Sequence, residues 1–273
     1  MKTLKALFIL TRPINALLAG IGIVTGFFYT NGNLFSHNLL FLVFAGSSAL
    51  AFGNVINDLM DIESDKISHP DRPLPKGDIS VKHTFLFLIF LGICSVFSGF
   101  IVSDLHGIAT LIPLFILIIY SIYLKGTPLA GNITVSILVA YTLIFGALNG
   151  NYEVLIAPSI LAFLASFSRE IVKDLADKEG DEFAGLTTTA KLKPKIINLV
   201  IFIVAVLFLI LSPLPILLKQ VGLIYAIIVG ISVVPLHIYW IHLYLKRDFT
   251  KSAKLLKYQM FLGLLALILD KLI

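Results

Sequence analysis

The chain has 273 residues, of which 58% are hydrophobic and only 14% are charged. Its mean hydropathy of +0.97 excludes a water-soluble domain of this size. The formal net charge is +5, and the single cysteine, Cys94, leaves neither a disulfide nor a thiolate metal site available.

Apolar segments long enough to cross a membrane recur along the whole sequence. About 20 residues span a hydrocarbon core, and these segments do not alternate as the strands of a barrel would. We therefore predict an all-α, polytopic membrane protein that forms a nine-helix bundle in a single domain over residues 1–273. The predicted spans cover residues 9–30, 37–57, 82–102, 106–124, 131–149, 153–172, 195–216, 220–244 and 255–272.

The basic residues predict the orientation of the bundle. With the N-terminus in the cytoplasm, 19 of the 21 Lys and Arg residues fall in cytoplasmic segments, and only Lys219 and Lys271 lie outside. This distribution follows the positive-inside rule of membrane proteins. The net charge thus indicates topology and contact with anionic lipids, not nucleic-acid binding. Both long polar connections, residues 57–81 and 169–194, are expected on the cytoplasmic side of the cell membrane.

The first long connection directly continues the second apolar segment. It reads Asn57-Asp58-x2-Asp61-x3-Asp65. If the helix continues, a rotation of roughly 100° per residue places these four side chains within an arc of about 100°. One face of the helix end would then be lined with carboxylates.

The second long connection follows the sixth apolar segment and repeats this spacing. It carries Asp174-x2-Asp177-x3-Asp181, with Glu170 one turn earlier. These four carboxylates fall within an arc of roughly 60° on a continuous helix. Either stretch alone is also typical of a solvated helix end with aspartate caps, but matched spacing on one side of the membrane favours a shared function.

Crowded carboxylates near lipid repel one another, so a compensating cation is expected. Mg²⁺ prefers oxygen ligands and leaves coordination positions for substrate phosphates. We therefore predict that the two acidic faces clamp a diphosphate through two Mg²⁺ ions. The summed negative charge exceeds what two ions offset, so Lys125, Arg72 and Lys173 are predicted to bind the diphosphate as well.

Each of the remaining polar candidates has a structural alternative. Lys125, at the end of the fourth span, could instead be a lysine that extends its ammonium group to the membrane surface. Arg72 could instead anchor the proline-rich turn around it. Asn15 in the first span is predicted to bind substrate because an intramembrane amide needs a partner. Tyr120 and Tyr141 could stack against a cation or a prenyl chain, or simply pack. A second basic patch for an acceptor phosphate is expected among Lys76, Lys191, Lys193 and Lys195, although such lysines also mark topology.

The two motifs resemble those of the UbiA superfamily of intramembrane prenyltransferases. The family pattern Asn-Asp-x2-Asp-x3-Asp is matched at residues 57–65, and its Asp-x3-Asp pattern at Asp177 and Asp181. The resemblance extends to Arg12-Pro13-x-Asn15, to residues 71–77 and to residues 120–125. Within the family, residues 169–181 look most like the archaeal enzymes that act on geranylgeranylglyceryl phosphate. Gly126 departs from the arginine that many relatives carry, so the resemblance implies no phosphate contact at this position.

The resemblance implies both an architecture and an activity. The architecture is a nine-helix bundle with a central cavity, covered by cytoplasmic cap loops and open sideways to lipid. The activity is Mg²⁺-dependent transfer of a geranylgeranyl group from its diphosphate to the free hydroxyl of geranylgeranylglyceryl phosphate, a step in ether-lipid synthesis. The residues implied to contact Mg²⁺ are Asn57, Asp61, Asp65, Asp177 and Asp181, with Asp58 and Asp174 close by.

Two other functions stay open from the residues. An aromatic prenyltransferase, acting on 4-hydroxybenzoate or a naphthoate, would use the same donor chemistry. A cation transporter would instead need carboxylates within the spans, where this sequence has almost none. The oligomeric state is not predicted.

Overall fold

The computed structural model describes residues 2–31, 34–183, 185 and 187–273, and these residues form helices and turns with no strand. Besides the α-helices, the described residues form four short helical turns. Two are π-helical, at Tyr120–Leu124 and Val229–Val233, and two are 3₁₀, at Tyr152–Leu155 and Thr189–Lys191. The α-helices are α1 (Lys2–Leu10), α2 (Pro13–Asn31), α3 (His37–Met60), α4 (Ile62–Ser68), α5 (Val81–Val102), α6 (Asp104–Ile119), α7 (Ala130–Ala147), α8 (Ile156–Ala176), α9 (Lys178–Phe183), α10 (Pro194–Leu211), α11 (Leu214–Leu217), α12 (Leu223–Ile228), α13 (Val234–Leu245) and α14 (Phe249–Leu272).

Within the described part of the chain, eight helical segments are long and apolar enough to cross a membrane, and there are nine if the bent pair α1 and α2 counts as one span. This confirms the predicted multi-pass, all-α bundle. Large apolar side chains such as Phe85, Ile93 and Phe97 on α5 are exposed, as expected for a surface that faces lipid.

The first span is not the continuous helix that was predicted over residues 9–30. The chain bends by 51° between α1 and α2, and Arg12 adopts a left-handed conformation with φ 49°. Pro13 explains the break, because proline disfavours the α conformation in the residue before it and lacks an N–H for the helix ladder. α1 still packs against α3, with Ala6 and Leu10 buried in the core.

Close crossings between helices depend on small residues. α2 and α7 pack against each other along much of their length. A Cβ on Gly26 would collide with the carbonyl of Leu143, and one on Gly146 with the carbonyl of Ile23. Membrane helices commonly use such residues to bring backbones together. α2 also contacts α3 and α14, and α8 contacts α7, α10 and α14, so these inner helices join the two halves of the bundle.

Candidate active site

Both acidic segments bend at the middle aspartate of the shared motif. α3 ends at Met60 and α4 begins at Ile62, with Asp61 between them at φ −96° and ψ 5°. α8 ends at Ala176 and α9 begins at Lys178, with Asp177 between them at φ −95° and ψ 3°. The acidic faces are therefore not single straight helices, although i→i−4 hydrogen bonds still close at both breaks. The end of the bundle that carries both segments is called the acidic end below.

The three aspartates of the first segment are each paired with a cation. The buried carboxylate of Asp58 accepts a hydrogen bond of 2.5 Å from Arg12 and lies 3.7 Å from Arg72. Asp65, also buried, accepts a hydrogen bond of 2.6 Å from Arg72. Asp61 forms an ion pair with Lys125. Arg72 thus contacts the first acidic segment directly.

Asn57 is held by the fourth membrane span. The hydroxyl of Ser121 donates a hydrogen bond of 2.7 Å to Oδ1 of Asn57. Ser121 lies in the π-helical turn Tyr120–Leu124, a conformation that often marks functional sites. This turn also brings Tyr120 and Lys125 to the acidic end.

The second segment is bound mainly by uncharged groups. Oδ2 of Asp174 accepts hydrogen bonds from Nδ2 of Asn132 at 3.0 Å and from the backbone N–H of Thr189 at 3.2 Å. Asp177 is the most open of these carboxylates, with 55% of its side chain exposed and Lys173 at 4.0 Å. Glu170 pairs with the neighbouring Arg169.

Lys125 connects the two acidic segments. It pairs with Asp61 of the first segment and lines an open polar cavity of about 360 Å³ with residues of the second. Burial and the neighbouring cations Arg12 and Lys173 lower the pKa of Lys125 to about 8. The residues that line the polar cavity are Tyr120, Lys125, Thr127, Gly131, Asn132, Val135, Glu170, Lys173, Asp174 and Thr188.

Asp181 lies close enough to this cavity to influence Lys125 electrostatically. Burial raises the pKa of Asp181, and the neighbouring carboxylate of Asp177 adds to that effect. Lys173 and Lys125 act in the opposite direction. The carboxylates and ammonium groups of the two segments therefore form one electrostatically coupled group.

A second, apolar cavity of about 510 Å³ lies deeper in the bundle. α2, α3, α6 and α7 enclose it, and its lining includes Ala49, Leu117, Leu138 and Tyr141. Leu117, which lines this cavity, precedes Tyr120, which lines the polar one, by three residues on the same membrane span. The apolar cavity therefore begins about one turn below the polar one.

The donor set fits a hard divalent cation that also binds a substrate. Within the described ranges, no three His, Cys, Asp or Glu side chains are gathered closely enough to hold a metal ion by themselves. The side chains present are carboxylates and an amide, whose oxygens suit Mg²⁺. Mg²⁺ in phosphate-handling enzymes commonly takes one or two carboxylates and completes its shell with phosphate and water, so these residues are compatible with such an ion.

Several predicted residues lie away from the polar cavity. Asn15 lies in the first turn of α2 with an exposed side chain, because this helix begins only at Pro13. Its predicted role in substrate binding stays a prediction. The lysines considered for an acceptor phosphate are all exposed and do not line the polar cavity; they are Lys76, Lys191, Lys193 and Lys195.

Sequence reasoning missed four residues that contact the acidic segments. Arg12 entered only as part of a family motif, although it binds Asp58. Asn132 is a buried amide in a predicted span, which is a signal for a functional contact. Ser121 also entered only as part of a family motif, at residues 120–125, and Thr189 gave no signal, since isolated hydroxyl residues are common in membrane helices and loops.

Comparison with known proteins places the chain among prenyltransferases. The profile of the UbiA prenyltransferase family matches residues 7–265. A digeranylgeranylglyceryl phosphate synthase from Methanopyrus kandleri is 34% identical, over 96% of this chain and 98% of its own length. The enzyme of the same name from Methanosarcina mazei is 37% identical, over 84% and 80%.

Solved structures show the same fold. A structure reported for digeranylgeranylglyceryl phosphate synthase in membranes has a TM-score of 0.86 and 32% identity, covering 99% of both chains. A UbiA homolog from Archaeoglobus fulgidus, bound to GPP and Mg²⁺, has a TM-score of 0.71 and 21% identity, covering 96% of this chain and 99% of its own. At that identity the second likeness concerns the fold alone.

Proposed function

The chain belongs to the UbiA prenyltransferase family, and from this premise we propose that it transfers a geranylgeranyl group from geranylgeranyl diphosphate to the free hydroxyl of geranylgeranylglyceryl phosphate. The observation that carries the proposal is the position of Lys125. It pairs with Asp61 of the first acidic segment and shares the polar cavity with Glu170 and Asp174 of the second, directly above an apolar cavity. A diphosphate with a long apolar tail matches this combination of a charged mouth and an apolar interior.

The diphosphate binds at the polar cavity in this proposal. Lys125 and Lys173 line that cavity and offer ammonium donors to the phosphate oxygens. Mg²⁺, when bound, neutralises the charge that develops on the leaving oxygens. The residues that would hold it are Asn57, Asp61, Asp65, Asp177 and Asp181, with two ions as the expected number.

The remaining aspartates and Arg72 shape the site around these ligands. Asp58 pairs with Arg12 and Arg72, and Arg72 also pairs with Asp65. These ion pairs order the first segment. Asp174 is bound by its neighbours in the second segment. Partners of this kind orient ligands, and their loss commonly costs 10–100-fold in activity or metal affinity.

The prenyl chain extends from the polar cavity into the apolar one. The bond between the allylic carbon and the diphosphate oxygen breaks, and its electron pair leaves with the diphosphate. The acceptor hydroxyl oxygen bonds to that carbon and loses its proton. The new carbon–oxygen bond makes the product an ether. The apolar walls exclude water, which would otherwise capture the allylic carbon. Tyr120 lines the polar cavity and Tyr141 the apolar one, and an aromatic ring near that carbon can stabilise its positive charge.

The acceptor is proposed from the relatives. A protein named digeranylgeranylglyceryl phosphate synthase matches this chain at 34% identity over 98% of its own length, and a solved structure with that name superposes with a TM-score of 0.86. The proposed location is the cell membrane, with the N-terminus and the acidic end in the cytoplasm. The concentration of Lys and Arg in segments on that side supports this orientation.

The test is a transfer assay with purified protein in lipid nanodiscs. Geranylgeranyl diphosphate, Mg²⁺ and geranylgeranylglyceryl phosphate should give a product with two ether-linked chains, detected by mass spectrometry. Parallel reactions contain 4-hydroxybenzoate or a naphthoate as acceptor. Transfer to an aromatic acid but not to the glyceryl phosphate would contradict the proposed acceptor and support aromatic prenylation.

A further inference from the structure

We propose that Asn132 and Thr189 are positioning residues, which fix the second acidic segment against α7 through the carboxylate of Asp174. This inference rests on the proposed function for its effect on transfer, but the contacts themselves do not depend on which acceptor is used. Neither residue belongs to an Asp-rich motif.

The contacts form a closed network at the end of α8. The backbone N–H of Thr189 and Nδ2 of Asn132 both donate to Oδ2 of Asp174, at 3.2 and 3.0 Å. The hydroxyl of Thr189 donates to Oδ1 of Asn132 at 2.5 Å and accepts from the backbone N–H of Leu129 at 2.9 Å. Asn132 is 6% exposed and Thr189 is fully buried. Water therefore cannot easily replace a lost partner, so each bond restricts the segment more than a surface contact would.

The network joins two parts of the polar cavity, at Asn132 and Asp174, to the turn that follows Thr188. Asn132 lies in the first turn of α7, Asp174 lies one turn before the break at Asp177, and Thr189 begins the 3₁₀ turn that ends the second long connection. Leu129 has a positive φ of 63°, which is costly for a residue other than glycine. Its bond to Thr189 helps to hold this conformation.

The same contacts position charged groups on both sides of the cavity. Leu129 follows Lys125 by four residues, so fixing its backbone also limits the range of the lysine. On the other side, Asp174 fixes the end of α8, from which Asp177 and Asp181 follow. The first segment has a related arrangement, since Asp58 binds Arg12 and Arg72 from outside its own helix. Asp58 and Asp174 thus each bind their segment to parts of the protein that are close in space but distant in sequence.

The first test measures hydrogen exchange in purified, metal-free protein. Thr189→Val removes the hydroxyl with little change in volume, and backbone amides in residues 187–193 and at Leu129 should exchange at least tenfold faster. Thr189→Ser should restore the wild-type rate because it keeps the hydroxyl. Thr187→Val, the same change at an exposed position two residues away, is the matched control and should not alter exchange. Unchanged exchange in Thr189→Val would overturn the proposal.

The second test measures transfer as a function of Mg²⁺ concentration. In Thr189→Val, kcat should fall by about 10–100-fold and half-maximal activity should need several times more Mg²⁺, as expected when a group that orients ligands is lost. Thr189→Ser should recover most of both values. Faster exchange with normal kcat and normal Mg²⁺ dependence would reduce the network to a structural contact and would overturn the positioning role.

Two outcomes need separate controls. If Thr189→Val does not fold, Asn132→Ala tests the same network from α7 and leaves the bond between Leu129 and Thr189 in place. If the wild-type protein does not modify geranylgeranylglyceryl phosphate, the proposed acceptor fails, but the exchange experiment still decides whether the network fixes this segment. The Mg²⁺ dependence is then measured with whichever acceptor the wild-type protein prenylates.

Discussion

Replacement of Asp58 by alanine should destabilise the protein, whereas replacement of Asp177 should not. The carboxylate of Asp58 is buried and, within the part of the chain that the structure describes, is the only ion-pair partner of Arg12, while Arg72 keeps its bond to Asp65. Removing one member of a buried pair costs about 3–5 kcal/mol. The side chain of Arg12 is 35% exposed and can reach water, so we discount the expected loss to about 1–3 kcal/mol.

A loss of this size should lower the unfolding midpoint by about 2–12 °C. Thermal unfolding in detergent can be followed by the fluorescence of Trp240, which is the only tryptophan and is fully buried. Asp177→Ala is the matched control, because its side chain is 55% exposed and its nearest cation lies at 4.0 Å. Its midpoint should stay close to that of the wild type. Equal midpoints for both variants and the wild type would refute the reasoning that buried pairing holds the first segment.

Three further outcomes are expected. Excess EDTA should abolish transfer and added Mg²⁺ should restore it, while Asp177→Ala should stay inactive at any Mg²⁺ concentration; transfer that survives EDTA would contradict metal dependence. Because the pKa of Lys125 is lowered to about 8, its charge is present at neutral pH and lost on the alkaline side, so kcat/KM should fall above pH 8. In Lys125→Arg that fall should move to higher pH, and an unchanged profile would contradict the role of this lysine. Ala49→Phe, which fills the apolar cavity, should reduce transfer from a C20 donor more than from a C10 donor; equal losses would argue against this cavity as the prenyl site.

Much of this architecture follows from local patterns in the sequence. Hydropathy alone predicts the spans, because the bilayer requires long apolar helices wherever the chain crosses it. The repeated aspartate spacing predicts two carboxylate-rich helix ends, and the structure has them where α3 and α8 end. These features depend on residues within a few turns of one another.

The contacts that organise the site depend on the tertiary structure. Arg12 reaches Asp58 across 46 residues, Ser121 reaches Asn57 across 64, and Thr189 reaches Asn132 across 57. Helical periodicity reports only which face of its own helix a residue occupies, so it cannot identify these partners. The sequence therefore determined the membrane fold and the chemistry of its acidic segments. Which side chains satisfy each buried carboxylate was decided by the packing of helices that are distant in the chain, because a buried charge takes its partner from whatever donor the fold brings next to it.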